Sequence, residues 1–177
     1  MTESDVDRCL ALWRTRMARG YPNPITLLNA AGAVPWYTGF VAERNGEIVG
    51  FSAGYVSTAG EVISVPYPEV AKYVSFTAKE VAAYLDIVCV AEEHEGKGVG
   101  SELAETVAQQ LENWSKTIIT EVWHRNGVDG TVIVEKLGFE QATADEDYWQ
   151  ISTRGYGTCP ECDSSPCHCR GSLHVRF

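Results

Sequence analysis

Lysine is scarce in this chain. Only Lys72, Lys79, Lys97, Lys116 and Lys136 occur among 177 residues, and all basic residues together number 14 against 24 acidic ones. The formal net charge is -10. A general nucleic-acid binder needs a basic face, so that class of partner is not expected. Long apolar runs are absent too. No stretch of 18 apolar residues exists, so no membrane-spanning helix is expected. The opening "MTESDVDRCLALW" lacks the basic and apolar regions of a secretory signal, and the expected location is the cytoplasm. No internal repeat is evident. What is present is 45% apolar residues, enough for a globular core, in a length that suits one domain with a small appendage. The excess of carboxylates fits a salt-adapted host, where they keep the surface hydrated. It fits an ordinary acidic protein equally well.

Residues 4–19 predict a helix capped by Ser4, with Val6, Cys9, Leu10, Trp13 and Met17 at helical spacing. A loop-rich stretch with Pro22 and Pro24 follows. "WYTGFVAER" and "EIVGFSAGYVS" flank Asn45-Gly46, a strong two-residue hairpin signal. Residues 57–82 are weakly patterned, with "EVISVPYPEV" readable as a strand. "YLDIVCVA" is a β-branched run that predicts a buried strand. Val99, Leu103, Val107, Leu111 and Trp114 then recur every three or four residues, giving a helix of about four turns. "KTIITEVW" predicts a further buried strand. "DGTVIVEKLGF" predicts a short helix capped by Asp129 and closed by a left-handed Gly138, with Phe139 opening the next strand. "DYWQIST" is expected to be the last strand of the unit. The composition then changes at "GYGTCPECDSSPCHC", which gives expected domains of 1–153 and 154–177.

Between the buried strand and the long helix stand Gly96, Gly98 and Gly100, preceded by Glu92, Glu93 and Glu95. A strand, a glycine-rich turn and a helix together form a phosphate-binding geometry. The first helical amides lack intrahelical acceptors, and the helix dipole favours an anion there. A P-loop needs Gly-Lys-Ser/Thr, but Gly100 is followed directly by Ser101. A Rossmann fingerprint needs Gly or Ala where Ser101 stands, and more chain after it. "VCVAEEHEGKGVGSELAE" resembles motif A of the GNAT acetyltransferase superfamily, Arg/Gln-x-x-Gly-x-Gly/Ala, aligned on Glu95, Gly98 and Gly100. "NGVDGTVIVEKLGFEQ" is similar to its motif B, an Asn before a helix that ends in Lys-Leu-Gly-Phe. The resemblance covers roughly residues 1–153.

That resemblance implies an α+β fold, with a mixed, mostly antiparallel sheet between helices on both faces. It implies that the strands "DIVCV" and "IITEVW" splay apart to admit acetyl-CoA. The pantetheine arm is then expected on Val88, Cys89 and Val90. The pyrophosphate is expected on the amides of Glu95, Gly96, Lys97, Gly98, Val99, Gly100 and Ser101, with Asn126 as a further cofactor residue. The implied activity is N-acetyl transfer to a primary amine by direct attack. The alternative is a non-catalytic acyl-CoA-binding module whose zinc-binding tail contacts a partner. Two departures matter. Glu95 replaces Arg or Gln, which places a carboxylate near a diphosphate, mitigated by Lys97, His94 or high salt. Val134 replaces the tyrosine that many members use to protonate the departing thiolate. Tyr148 and Tyr84 are then open alternatives, and a thiol of pKa about 8.5 is a fair leaving group unaided.

A base must take the proton of the attacking amine. Asp86, on the face of Val88 and Val90 by the period of two, and His124 are the candidates, with Glu121 as a rival. Glu121 and His124 are expected on opposite faces. The expected partner is an amine acceptor, cationic given the acidic surface, with a homodimer left open. Of the six cysteines, Cys9 and Cys89 read as core residues. Cys159, Cys162, Cys167 and Cys169 read as a structural zinc site, in which His168 or His174 can replace one sulfur. Disulfides are the alternative, disfavoured in a reducing cytosol.

Overall fold

In a computed structural model of the chain, the described residues are 1–16, 21–58, 81–125, 130–150 and 153–177. In chain order the elements are α1 (Val6–Arg16), α2 (Ile25–Ala31), β1 (Tyr37–Arg44), β2 (Glu47–Thr58), β3 (Val81–Val90), α3 (Val99–Glu112), β4 (Ile118–Trp123), α4 (Thr131–Lys136), β5 (Glu140–Asp145) and β6 (Gly171–Arg176). The strands form one sheet in the order β1-β2-β3-β4-β6-β5. Its β3–β4 pair is parallel and its other pairs are antiparallel. This is the expected mixed, mostly antiparallel α+β architecture. None of the described helices is long and apolar enough to cross a membrane.

Among the described residues, a core cluster sits on each face of the sheet. On one, Ala104, Val107, Ala108 and Leu111 of α3 pack on Ala83, Leu85, Ile118 and Val122, together with Val134 and Phe139. On the other, Cys9 and Leu10 of α1 and Leu27 of α2 pack on Phe51, Ile87 and Cys89. Cys9 and Cys89 are thus core residues. The β1–β2 hairpin turns at Asn45 and Gly46, both at positive φ, as its Asn-Gly dipeptide predicts. Gly138, at φ +80°, closes α4.

Four expectations need correction. Ser4 does not cap α1. It lies in a 3-10 turn, Glu3–Asp5, and the Asp5 carboxylate accepts the Thr2 amide at 2.8 Å. "DYWQIST" is not a strand: residues 146–150 are turns. Asp145 accepts the Asp147 amide at 3.0 Å, and Asp147 accepts the Gln150 amide at 3.0 Å, so local bonds replace the ladder. Residues 154–177 are not wholly a separate module, because β6 lies inside the sheet between β4 and β5. Finally, the period of two breaks within β3. Leu85 faces Gly54 while Ile87 faces Ala53, so Asp86 is the extra residue of a β-bulge. The strand expected in "EVISVPYPEV", Met17, the cap expected at Asp129 and the cofactor residue expected at Asn126 lie outside the described residues.

Candidate active site

β3 runs into a 3-10 turn (Glu92–His94) and then into the glycine loop. Gly96 and Gly98 have φ of +68° and +87°, a region where a side chain costs about 1–2 kcal/mol. A Cβ at either would meet no protein atom within 4 Å, so both faces look outward. Gly100 serves differently. A Cβ there would press Ile133 at 3.3 Å and touch Val90 and Val88 at 3.5 and 3.7 Å, so its absence lets α3 start against β3 and α4. The helical ladder begins with the Glu102 amide on the Gly98 carbonyl at 3.0 Å. The amides of Val99, Gly100 and Ser101 therefore precede it, at the positive end of the helix dipole.

The β3–β4 ladder contains Ala83–Ile118, Tyr84–Ile119 and Leu85–Thr120, and then stops. β3 continues to Val90 and β4 to Trp123 without pairing to each other. The other edge of Val88, Cys89 and Val90 is taken by Ser52, Phe51 and Gly50 of β2. Among the described residues no strand pairs with the edge of these three towards β4, a form that suits a strand-like ligand. A slot of this form, with an anion cradle at its mouth, fits an extended pantetheine arm with a diphosphate.

Glu95 departs from its expected role. Its amide donates to the Glu92 carbonyl at 3.1 Å, so it is not part of the cradle. Its carboxylate takes Arg16 Nη2 at 2.5 Å, while Arg16 Nη1 meets Glu92 at 3.1 Å. The cation comes from α1, and neither Lys97 nor His94 supplies it. Lys97 Nζ instead donates to the Glu93 carbonyl at 2.5 Å. The Arg16 side chain is only 10% exposed, and its Nε has no hydrogen-bond partner among the described residues.

At the apex of the slot, where the ladder stops, Glu121, Tyr84 and Tyr148 meet, and Asp86 is near enough for its charge to act on Glu121 and Tyr84. The bulge turns Asp86 towards α2, where Thr26 donates to it. It thus leaves the face of Val88 and Val90, which look towards α3. Asp86 is solvent-accessible, but it lies deep among protein atoms, and loss of water raises its carboxyl above the ordinary range against the opposing Thr26 bond. Glu121 accepts the Tyr148 hydroxyl at 2.5 Å and also the Tyr84 hydroxyl. Burial raises the Glu121 carboxyl, the two tyrosine bonds oppose that, and the charge of Asp86 adds to it. Burial, with Glu121 and Asp86 nearby, pushes the Tyr84 hydroxyl well above its usual value. His124 is not brought to this cluster. Its Nε2 bonds Ser172 at 2.8 Å, and Ser172 bonds His174 at 2.8 Å, on the sheet face of Val122. Glu121 and His124 do face opposite ways.

The four cysteine sulfurs of the C-terminal loop all lie within 4.8 Å of one another. Sulfur–sulfur separations include 3.5 Å (Cys159–Cys167), 3.7 Å (Cys159–Cys169) and 4.0 Å (Cys162–Cys167). All four are free thiols. His168 bonds Asp147 at 2.8 Å and His174 bonds Ser172, so neither belongs to the sulfur cluster.

The sequence profile described as Acetyltransferase (GNAT) family matches residues 11–139, well over half of the chain. The chain belongs to the GNAT acetyltransferase family. A search of curated protein sequences finds no match. Solved structures with the same fold include the ribosomal-protein-S18-alanine N-acetyltransferase of Escherichia coli. It is 16% identical with TM-score 0.63, over 99% of this chain and 89% of that one. Arabidopsis thaliana NAA60 in complex with acetyl-CoA is 14% identical with TM-score 0.66, over 100% and 95%. A polyamine N-acetyltransferase of Drosophila melanogaster is 14% identical with TM-score 0.64, over 100% and 97%. As a GNAT protein the chain is an acetyl-CoA-dependent acyltransferase. Val134, where many GNAT enzymes carry a tyrosine, is 5% exposed in the α3 core and has no proton to give. Sequence reasoning named Tyr148, Tyr84 and Glu121 separately. Their meeting depends on the turn after β5, which the expected strand concealed.

Proposed function

We propose that the protein acetylates a cationic primary amine, with Asp86, Glu121, Tyr84 and Tyr148 as its proton-handling groups. The observation that carries this reading is their convergence where the β3–β4 ladder stops. An arm entering from the glycine loop and running along Val90 to Val88 ends there. The reacting nitrogen, in its neutral form while the acceptor's positive charge lies elsewhere, attacks the thioester carbonyl and the C–S bond breaks. Asp86, accessible and raised in pKa, takes the proton lost by the amine. Glu121 holds the Tyr148 hydroxyl in place beforehand, and Tyr148 then turns its single proton from Glu121 to the developing thiolate. One proton leaves the amine and one reaches the thiolate, so the step balances.

The charge of the cluster supports a cationic acceptor. So does the run of tyrosines beside it: Tyr37 stacks on Tyr55 at 5.4 Å, and Tyr55 meets Tyr84 at 5.6 Å. Such rings favour cations. The test is acetyl-CoA-dependent thiol release with a panel of polyamines, aminoglycosides, lysyl peptides and neutral amines. Faster turnover of neutral amines would reject the cationic reading. No turnover with any amine, together with tight acetyl-CoA binding, would revive the non-catalytic alternative, which family membership does not favour.

We also propose that Cys159, Cys162, Cys167 and Cys169 hold a structural zinc ion. Tetrahedral zinc with sulfur at about 2.3 Å sets sulfur–sulfur edges of roughly 3.8 Å, which matches the spacings above. With four protein ligands such a site is closed and takes no part in the chemistry. Elemental analysis near one zinc per chain is the expected result. Paired disulfides in the mass spectrum would reject it.

A further inference from the structure

The cysteine loop does not hang free of the catalytic cluster. Tyr148 lies in the turn between β5 and the loop, and each side of it is tied to the loop. On one side, His168 bonds Asp147 at 2.8 Å, and Arg170 approaches Glu146 at 3.7 Å. On the other, the Cys167 amide donates to Thr153 Oγ1 at 2.8 Å, and Thr153 Oγ1 donates to the Trp149 carbonyl at 2.6 Å. Trp149 sits edge-on to the Tyr148 ring, with centroids 4.9 Å apart. It also lines a small cavity of about 60 Å³ with Trp123, Tyr21, Thr153 and Cys167. Gly171, where the loop enters β6, completes the seat. A Cβ there would lie 2.6 Å from the Tyr148 ring.

From this we infer that the four-cysteine loop positions Tyr148 for proton transfer, so that metal occupancy sets the catalytic rate and leaves acetyl-CoA affinity alone. The inference rests on the zinc reading and on the role given to Tyr148. The physical reason is that the loop has few apolar side chains to hold its own shape. A metal bound to four thiolates supplies that shape, and the ties carry it to Tyr148. The glycine cradle lies at the other end of the slot and shares none of these ties. Cys159, Cys162, Cys167 and Cys169 are therefore metal-holding residues, and Thr153 and Gly171 are positioning residues.

The test uses the full chain, with zinc retained, removed by a chelator, or removed and restored. Expected on removal are an acetyl-CoA Kd unchanged within about twofold and a kcat lowered at least tenfold, the kcat being recovered with zinc. In Tyr148→Phe, removal should change kcat less than twofold, because the group being positioned is already gone. Unchanged kcat in the metal-free wild type would overturn the inference while leaving the zinc site standing. So would an equal fall in Tyr148→Phe, or parallel loss of acetyl-CoA binding. A Tyr148→Phe variant as fast as wild type would reject the proton role itself, and with it the inference. If no metal copurifies, the zinc reading fails, and two variants that spare every thiol then carry the positioning claim. Thr153→Val cuts the tie and Gly171→Ala pushes the ring. A kcat loss that does not add to that of Tyr148→Phe supports it, and unchanged kcat rejects it.

Discussion

At the scale of single residues, the cation that the motif would carry at position 95 is supplied by Arg16, which pairs with Glu95 and Glu92. The co-substrate loop carries the carboxylate, and a helix from the other side of the sheet carries the cation. Arg16→Gln should therefore expose the diphosphate to Glu92 and Glu95 and weaken acetyl-CoA binding by about tenfold at low salt. At about 1 M salt, where the screening length falls to roughly 3 Å, most of that loss should vanish. Adding Glu95→Gln should restore affinity, and pantetheine, which has no diphosphate, should bind all variants alike. Titration calorimetry reads each value, and a loss shared by pantetheine would mean that Arg16 merely holds the fold.

Glu121 gives the second residue-scale prediction. Its folded-state carboxyl is raised by burial, so the folded protein holds a proton there that the unfolded chain releases earlier. Stability is lost as pH rises from the unfolded value of about 4.3 through the folded one. Glu121→Gln should then raise Tm by a few degrees at pH 8, with the gain fading towards pH 4. It should also lower kcat, on the order of 10²-fold, if the carboxylate orients Tyr148. Thermal scans across pH and steady-state kinetics check both. A Tm change independent of pH would assign it to packing. Asp86, also raised, should set the acid limb of the kcat profile above the ordinary carboxylate range, and Asp86→Asn should remove that limb.

At the scale of elements, the glycines divide their work. Gly98→Asp should abolish acetyl-CoA binding while the protein stays folded, because its Cβ meets open space and costs only left-handed strain. Circular dichroism and calorimetry together read this, and unchanged affinity would sink the cradle. Local rules carried the hairpin, the long helix and the glycine turn, since each depends on its own few residues. They failed where distant contacts decide. The bulge at Asp86 arises from pairing with β2, and it reverses the face that alternation assigns. The turn at residues 146–150 arises from Asp145, whose short carboxylate takes the Asp147 amide, and from the Asp147 carbonyl, which takes the Gln150 amide. The compensation by Arg16 was invisible because it joins residues 79 apart in the chain.

At the scale of the whole molecule, the sheet is completed from an unexpected direction. β6 pairs Val175 with Ile119 on one side and with Glu140 on the other, and Leu173, His174 and Val175 are buried. Its residues alternate small, apolar and polar in "GSLHVR", a short run that composition alone assigns to the cysteine-rich tail. Truncation after Thr153 should therefore leave β4 and β5 without their shared neighbour. We expect an insoluble or molten product in place of a working acetyltransferase, read by solubility and near-ultraviolet dichroism. A folded, acetyl-CoA-binding fragment would restore the boundary at 153/154.

The place of β6 also bears on how the protein is made. A chain emerging from the ribosome delivers β4 long before the strand that must lie against it. From Trp123 to Arg176 there are 176 − 123 = 53 residues still to come. At a synthesis rate of about 5–20 residues per second, that is a wait of roughly 3–10 s. Throughout it, the "IITEVW" strand offers a bare, apolar edge to any neighbouring nascent chain. Slow or interrupted translation through the cysteine codons would lengthen that exposure. The yield of active enzyme should then depend on the pace of synthesis near its end.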